Sequence, residues 1–286
     1  MTDFVCISPI DGAQVFSGDH ASKTEIETSL KASKTAQQKW AQTPLADRLS
    51  LLSCALDHLL ANKQEIGKEI TLQMGRPIRF SPNELGGLHH RGQTMLDLAA
   101  DALADISLPG KEGFIRFIRK TPIGVVAVLA PWNYPFLTSV NVIIPALAAG
   151  NSVILKHASQ TPMAALRWQE ALDAAGLPKG VFQHLFLSHD GTAQMLGSPL
   201  LNYVAFTGSV SGGHAVVKAL SSGFASAGLE LGGKDPAYVR SDANLDVAVE
   251  NLVDGAFFNS GQSCCGVERI YVAAPLFDDF VSAFVS

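Results

Sequence analysis

Charge is scarce in this chain: 16% of its 286 residues are Asp, Glu, Lys or Arg, against about a quarter in an ordinary soluble domain. Such a chain either buries much of its own surface or is covered by something the sequence does not contain. The formal net charge of -5 is not gathered into any basic run, which argues against nucleic acid or anionic membrane as a partner. Cysteine is sparse as well. Cys6, Cys54, Cys264 and Cys265 have no framework spacing, and no leader is legible at Met1-Thr2-Asp3-Phe4, so a reducing cytoplasm is the expected home. The most apolar stretch, 123–150, is interrupted by Pro131, Asn133, Pro135, Asn141 and Pro145, which argues against a membrane span. Repeats, low-complexity tracts and flexible linkers are missing too. These absences leave a soluble protein of one large α/β domain or two smaller ones.

What is present is patterned. Residues 25–40 carry Ile26, Leu30 and Ala36 among lysines and glutamines, and 45–74 carries Leu49, Leu52, Leu56, Leu59, Leu60 and Ile66. Both read as amphipathic helix, the second stopped by Gly75-Arg76-Pro77. A third helix is expected over about 83–104. Its adjacent His89 and His90 point in different directions, so they make a poor metal pair and read as a solvated face. No convincing metal ligand cluster is found. Residues 114–119 look like a strand whose arginines would interrupt a buried one. From Gly124 short apolar strands (125–130, 152–156, 181–187, 203–206, 227–231) alternate with helices (to 149, 163–175, 192–196, and one after Gly208). That alternation predicts a doubly wound parallel sheet covered on both faces, with ligands outside the carboxyl ends of its strands.

Polar motifs stand where these strands end. Asn133 lies between Pro131 and Pro135, which fix the backbone and hold its amide as an oxyanion hole requires, although a helix-capping Asx-turn would also place an asparagine there. Lys156 ends the next strand, where it could meet ribose hydroxyls or phosphate, or simply water. Thr161-Pro162 reads as an N-cap followed by an N1 proline. Gly208-Ser209 feeds a helix N-terminus whose free N–H groups suit a pyrophosphate, without forming the Gly-x-Gly-x-x-Gly fingerprint. Glu230 lies between two leucines before Gly232-Gly233-Lys234. Apolar surroundings would raise its pKa and suit a general base, while pairing with Lys234 is the plainer alternative. Cys264 and Cys265 follow Gly261-Gln262-Ser263, after an apolar run at helical spacing. They read as a nucleophile, whose thiolate a modest drop in pKa would supply, or as small buried hydrophobes.

Taken in order, Pro-Trp-Asn-Tyr-Pro, Lys-x-x-x-Gln-Thr-Pro, Phe-Thr-Gly-Ser, Leu-Glu-Leu-Gly-Gly-Lys and Gly-Gln-x-Cys resemble the motifs of the aldehyde dehydrogenase superfamily, from the N-terminal helices to the last residue. The resemblance implies that family's α/β fold. A Rossmann-like cofactor domain would occupy 1–230, with N-terminal helices and a bridging strand segment near 105–120, and a second α/β catalytic domain would begin over 231–286. It implies Cys264 as catalytic thiol, Glu230 as general base and Asn133 as oxyanion donor. Lys156 and Ser159 would hold the adenosine ribose, Gly208 and Ser209 the pyrophosphate, and Trp132 would line the site. The implied reaction is oxidation of a small aldehyde to a carboxylic acid with NAD or NADP, through a cysteine thiohemiacetal and thioester. The alternative is a catalytically silent remnant that binds nucleotide or a subunit.

Three departures from the family pattern stand out. Ser159 replaces an acidic residue common in relatives, which removes a charge that would repel a 2′-phosphate and favours acceptance of NADP. His157 stands where proline is usual, and Val142 where many relatives carry a basic residue. The family also continues beyond the length of this chain, with a segment that holds the nicotinamide ribose and a strand used in homo-oligomers. The last twelve residues accordingly read as a helix cut midway.

Overall fold

The computed structural model describes residues 4–286, so the Met1-Thr2-Asp3 part of the N-terminal tetrapeptide lies outside it. Two compact units divide the chain, one up to Glu230 and one from Leu231 to Ser286.

The first unit opens with an antiparallel pair, β1 (Phe4–Ile7) and β2 (Gln14–Gly18), which the apolar pattern did not announce. Four helices follow. In α1 (Lys23–Trp40), Ser22 and Glu25 form a reciprocal capping box, satisfying donors that a helix start leaves open. The expected single helix over 45–74 is two, α2 (Leu45–Ala61) and α3 (Lys63–Met74). The apolar stripe runs through both, but Asn62 leaves helical geometry (φ -93°, ψ 12°) and its side chain donates to the His58 carbonyl. An asparagine that bonds its own backbone competes with the helix ladder, and here it wins. α4 (Ser81–Leu103) completes the group, and His89 on its surface meets Asp57 at 2.8 Å, as suits a solvated face. Residues 114–119 form a strand only at β4 (Phe117–Ile118), paired antiparallel with β3 (Ile106–Ser107) in an exposed arm.

The sheet of the first unit is the part the alternating pattern predicts. β5 (Val125–Ala130), α5 (Val140–Ala148), β6 (Ser152–His157), α6 (Met163–Ala174), β7 (Phe182–His184), α7 (His189–Leu196), β8 (Tyr203–Gly208), α8 (Val210–Leu220) and β9 (Ser226–Leu231) alternate along the chain. Strand order is β7-β6-β5-β8-β9, and the β5–β6, β5–β8 and β6–β7 pairs are parallel. Every residue of β5 is buried, and alternate side chains enter different cores, because successive side chains on a strand point to opposite faces. Val126, Val128 and Ala130 join α2 to α6, whereas Val125, Ala127 and Leu129 join α7, α8 and the first half of α1. The chain winds from β5 to β6 and β7 on one side, then crosses to β8 and β9 on the other. The carboxyl ends of β5 and β8 therefore flank a topological switch point, where a crevice opens in such sheets.

α6 corrects one expectation. It begins at Met163 with Pro162 at the N-cap, and the Thr161 hydroxyl, expected as the cap, instead meets the His157 ring at 3.1 Å.

The second unit is a βαβ element. β10 (Asp235–Val239) and β11 (Val267–Val272) pair in parallel, joined by α9 (Leu245–Phe257) and a tight turn, and α10 (Phe277–Phe284) closes it. Phe280 and Val239 are buried, but Tyr238, Val247, Phe257, Tyr271 and Phe277 are each more than half exposed. Among the described residues no helix is long and apolar enough to cross a membrane.

Candidate functional site at the switch point

A cavity of about 460 Å³ opens at the carboxyl ends of β5, β6 and β8. Of the residues singled out in the sequence, Trp132, Asn133, Lys156, Gly208 and Ser209 line it together. Ser159 sits exposed on the turn after β6, outside the lining, and Glu230 is exposed near the end of β9, without the apolar enclosure expected of it. Cys264 belongs to the second unit.

Each lining residue has a local cause. The buried β5 delivers the chain into a turn at Pro131, and Tyr134 N–H donates to the Asn133 side-chain oxygen at 3.1 Å. The Asn133 amide also carries two N–H donors. The capping alternative for Asn133 fails, because α5 starts seven residues later behind Ser139. Lys156 ends β6 half-buried, and loss of hydration there lowers its pKa. No carboxylate pairs with it among the described residues. A desolvated ammonium without an anion nearby is costly unless a ligand supplies acceptors. Ser209 caps α8, its hydroxyl accepting from Gly212 N–H at 3.1 Å. The ring of Phe206 fills the space where a Cβ on Gly208 or Gly212 would stand, 2.6 Å from its edge. Glycine at both positions lets that ring close the cavity floor against the helix start.

The other wall was not foreseen. It is made by His189, Thr192 and Leu196 of α7 and by Gly212, Ala215, Val216 and Ala219 of α8. The run of small residues at i, i+3, i+4 and i+7 on α8 was the available signal, since it leaves room for a flat ligand.

The cysteine turn is unusual in its backbone. Asn259 and Ser260 are left-handed, at φ 54° and 60°, ahead of Gly261 at 75°, a conformation that costs a non-glycine residue roughly 1–2 kcal/mol. Asn259 compensates, donating from Nδ2 to the Gln262 carbonyl at 3.2 Å and accepting the Gln262 N–H. The two cysteines that follow are exposed and unbridged, so the reading as buried hydrophobes is corrected. The expected drop in thiol pKa is corrected too: partial burial pushes the Cys264 thiol up, and neighbouring Cys265 adds to it. Lys234 pairs with Glu268 in this unit rather than with Glu230.

Of the departures, Val142 is a half-buried residue of α5. His157 is buried, with its pKa lowered to about 4 chiefly by burial.

The whole chain, residues 1–286, matches the sequence model of the Aldehyde dehydrogenase family. It is 34% identical to a succinate-semialdehyde dehydrogenase [NADP(+)] of Mycobacterium avium (strain 104) over 98% of this chain and 60% of that protein. It is 30% identical to a 2-hydroxymuconic semialdehyde dehydrogenase of Pseudomonas sp. (strain CF600) over 98% of this chain and 59% of that one. The NADP-dependent glyceraldehyde-3-phosphate dehydrogenase of Bacillus halodurans C-125, solved in complex with NADP, superposes with a TM-score of 0.92 at 29% identity, over 98% of this chain and 60% of that structure. The chain thus spans about three fifths of the length of these relatives. With the five motifs in order on an α/β scaffold, and the match running from end to end, this chain belongs to the aldehyde dehydrogenase family.

Proposed function

We propose that the switch-point cavity holds a nicotinamide dinucleotide and that the chain supplies the cofactor half, and the thiol, of an aldehyde-oxidising site. The observation that carries this reading is Lys156: a desolvated cation on the wall of a cavity that also contains the start of α8. Ribose hydroxyls or a phosphate supply the acceptors that Lys156 lacks, and the α8 N-terminus favours the pyrophosphate. In this reading the first unit is the cofactor-binding domain and the second is the beginning of the catalytic domain. NADP is accepted as well as NAD, and its acceptance is favoured, since Ser159 brings no charge against a 2′-phosphate and Lys156 attracts one. A clear preference for NAD in paired kinetic measurements would overturn that assignment.

The bound nicotinamide supplies a hydride acceptor. The chain's own residues do the remainder. The Cys264 sulfur adds to the aldehyde carbonyl, and the Asn133 amide N–H and the Cys264 backbone N–H stabilise the oxyanion. Loss of hydride from that thiohemiacetal leaves a thioester on Cys264. Glu230 takes a proton from water, which attacks the thioester and releases the carboxylic acid and the thiol. Succinate semialdehyde and related short semialdehydes are the substrates to try first, given the relatives' names.

A second reading has its own support. The apolar side chains exposed across the second unit are what a site with one wall missing would present, and they favour a chain that binds nucleotide without turning over. Formation of reduced nicotinamide by the purified chain, with Cys264→Ala and Glu230→Gln alongside, separates the two. Turnover that vanishes in Cys264→Ala supports oxidation; a folded chain that binds NADP and makes no product supports the silent reading.

A further inference from the structure

Three buried polar side chains have no part in the chemistry proposed above: Arg76, Glu84 and His157. All three bear on one short loop: Glu84 and His157 bond its backbone directly, and Arg76 holds Glu84. Glu84 Oε1 accepts the backbone N–H groups of Phe136 at 2.8 Å and Leu137 at 3.0 Å. Its other oxygen accepts from Arg76 Nη1 at 3.0 Å, and the Arg76 guanidinium lies 5.5 Å from the Tyr134 ring centroid. His157 Nε2 stands 3.0 Å from the Pro135 carbonyl, and its Nδ1 lies 3.1 Å from the Thr161 hydroxyl. A carbonyl can only accept, so the ring carries its proton on Nε2, and in a neutral ring Nδ1 then accepts from Thr161. Ser139 also donates to the Pro135 carbonyl, at 2.8 Å. The backbone that leaves Asn133 is thus gripped from α4 and from the end of β6.

Stability alone does not account for these groups. Replacing a buried ion pair by apolar side chains of similar volume is often neutral or stabilising, and a buried imidazole is costly unless both nitrogens are bonded. What the polar groups provide, and apolar ones cannot, is direction at named backbone atoms. His157 follows Lys156 directly, and strand alternation turns the two side chains to opposite faces of the sheet. One strand end therefore presents a cation to the cavity and an anchor to the loop.

We infer that His157, together with the Arg76–Glu84 pair, positions the loop from Pro131 to Leu137 and thereby fixes Trp132 and Asn133 in the cavity wall. None of the three lines the cavity, so they are positioning residues and not catalytic ones. The functional half of this inference rests on the cofactor reading of the cavity. It also gives a role to the histidine that departs from the family pattern.

The test compares His157→Leu, which keeps bulk and loses the donor, with His157→Gln, whose amide can still donate to the Pro135 carbonyl. Thr161→Val, which removes only the hydroxyl on Nδ1, is the milder variant should the leucine chain fail to fold. Hydrogen–deuterium exchange is followed over the Phe136 and Leu137 amides and over β5 and β6, and NADP affinity is measured by calorimetry. Loss of about one buried hydrogen bond's worth of restraint predicts exchange about tenfold faster at Phe136 and Leu137 in His157→Leu, and about tenfold weaker NADP binding. β5 and β6 stay protected, and His157→Gln stays near the parent in both measurements. Equal behaviour of the Leu and Gln variants, or acceleration spread over the whole sheet, would make the ring a packing residue and overturn the inference. A loosened loop with unchanged NADP affinity would overturn it as well. Should the parent chain bind no nucleotide, the cofactor reading fails on its own, and the exchange comparison still decides whether the clamp exists.

Discussion

At Cys264 the environment works against the chemistry assigned to it. Burial and the adjacent Cys265 both raise the thiol's pKa, so little thiolate is present near neutral pH. Alkylation of Cys264 by iodoacetamide, followed by peptide mapping, is therefore expected to rise with pH through a midpoint above that of a free cysteine. Cys265→Ser should move that midpoint down, because it removes one of the two causes. A midpoint at or below the free-thiol value would refute the account of this site. His157 gives a second titration. Its pKa falls from 6.5 to about 4 in the folded chain, so the unfolded chain takes up the proton first as pH drops. Its contribution is intact above 6.5, declines between 6.5 and about 4, and totals on the order of 3 kcal/mol. His157→Gln should lose that part of the acid destabilisation, read as a shallower fall in denaturation midpoint over this window; parallel curves would contradict it. The sequence exposed the residue types at this scale but not their surroundings. Lys156 and Asn133 could be placed at strand ends from their apolar neighbours, whereas the exposure of Glu230 and the anchoring of His157 depend on what packs from distant segments.

At the scale of elements, helix α3 meets α4 too closely for an ordinary side chain. A Cβ at Gly67 would stand 2.7 Å from the Pro82 ring and 2.9 Å from its backbone nitrogen. In an isolated helix Gly67→Ala would be worth about 1 kcal/mol of stability. Here neither the ring nor the backbone can step aside cheaply, and a net loss of roughly 1–3 kcal/mol is expected from overpacking, measured as a lower urea midpoint. A gain in stability would show that the two helices can separate at little cost. Element order was the most legible feature of the sequence, because β5, β6 and β8 carry short apolar runs (125–130, 153–155, 203–206) that end at polar or turn residues. The misreadings have physical causes. Asn62 breaks an apolar stripe that ignores backbone bonding, and β2 and β10 carry Gln14, Ser17, Asp235 and Pro236 in place of an unbroken apolar run. The α8 wall of the cavity was silent because the smallness of Gly212, Ala215 and Ala219, not polarity, qualifies it, and the α7 wall because His189 and Thr192 gain their place only from the packing of that helix.

On the scale of the whole chain, the two units differ in how they are stabilised. The first has two packed cores on the faces of its five-stranded sheet, while the second has one parallel pair with few buried apolar residues. A two-stranded sheet is marginal by itself, so, apart from the exposed arm that carries β3 and β4, trypsin is expected to cut first at Lys234, Arg240 or Arg269 and leave the helices and five-stranded sheet of the first unit resistant, ending near residue 230. Early cuts within the helices α2 to α6 would contradict this. What decides the account as a whole is whether the switch-point cavity takes a nicotinamide dinucleotide. The direct measurement is calorimetric titration of the purified 286-residue chain with NADP, repeated for Lys156→Met. Saturable binding by the parent, weakened about tenfold or more when the charge-assisted bonds of Lys156 are lost, is the predicted result. A folded parent that binds no NADP, or binding indifferent to Lys156, would contradict it.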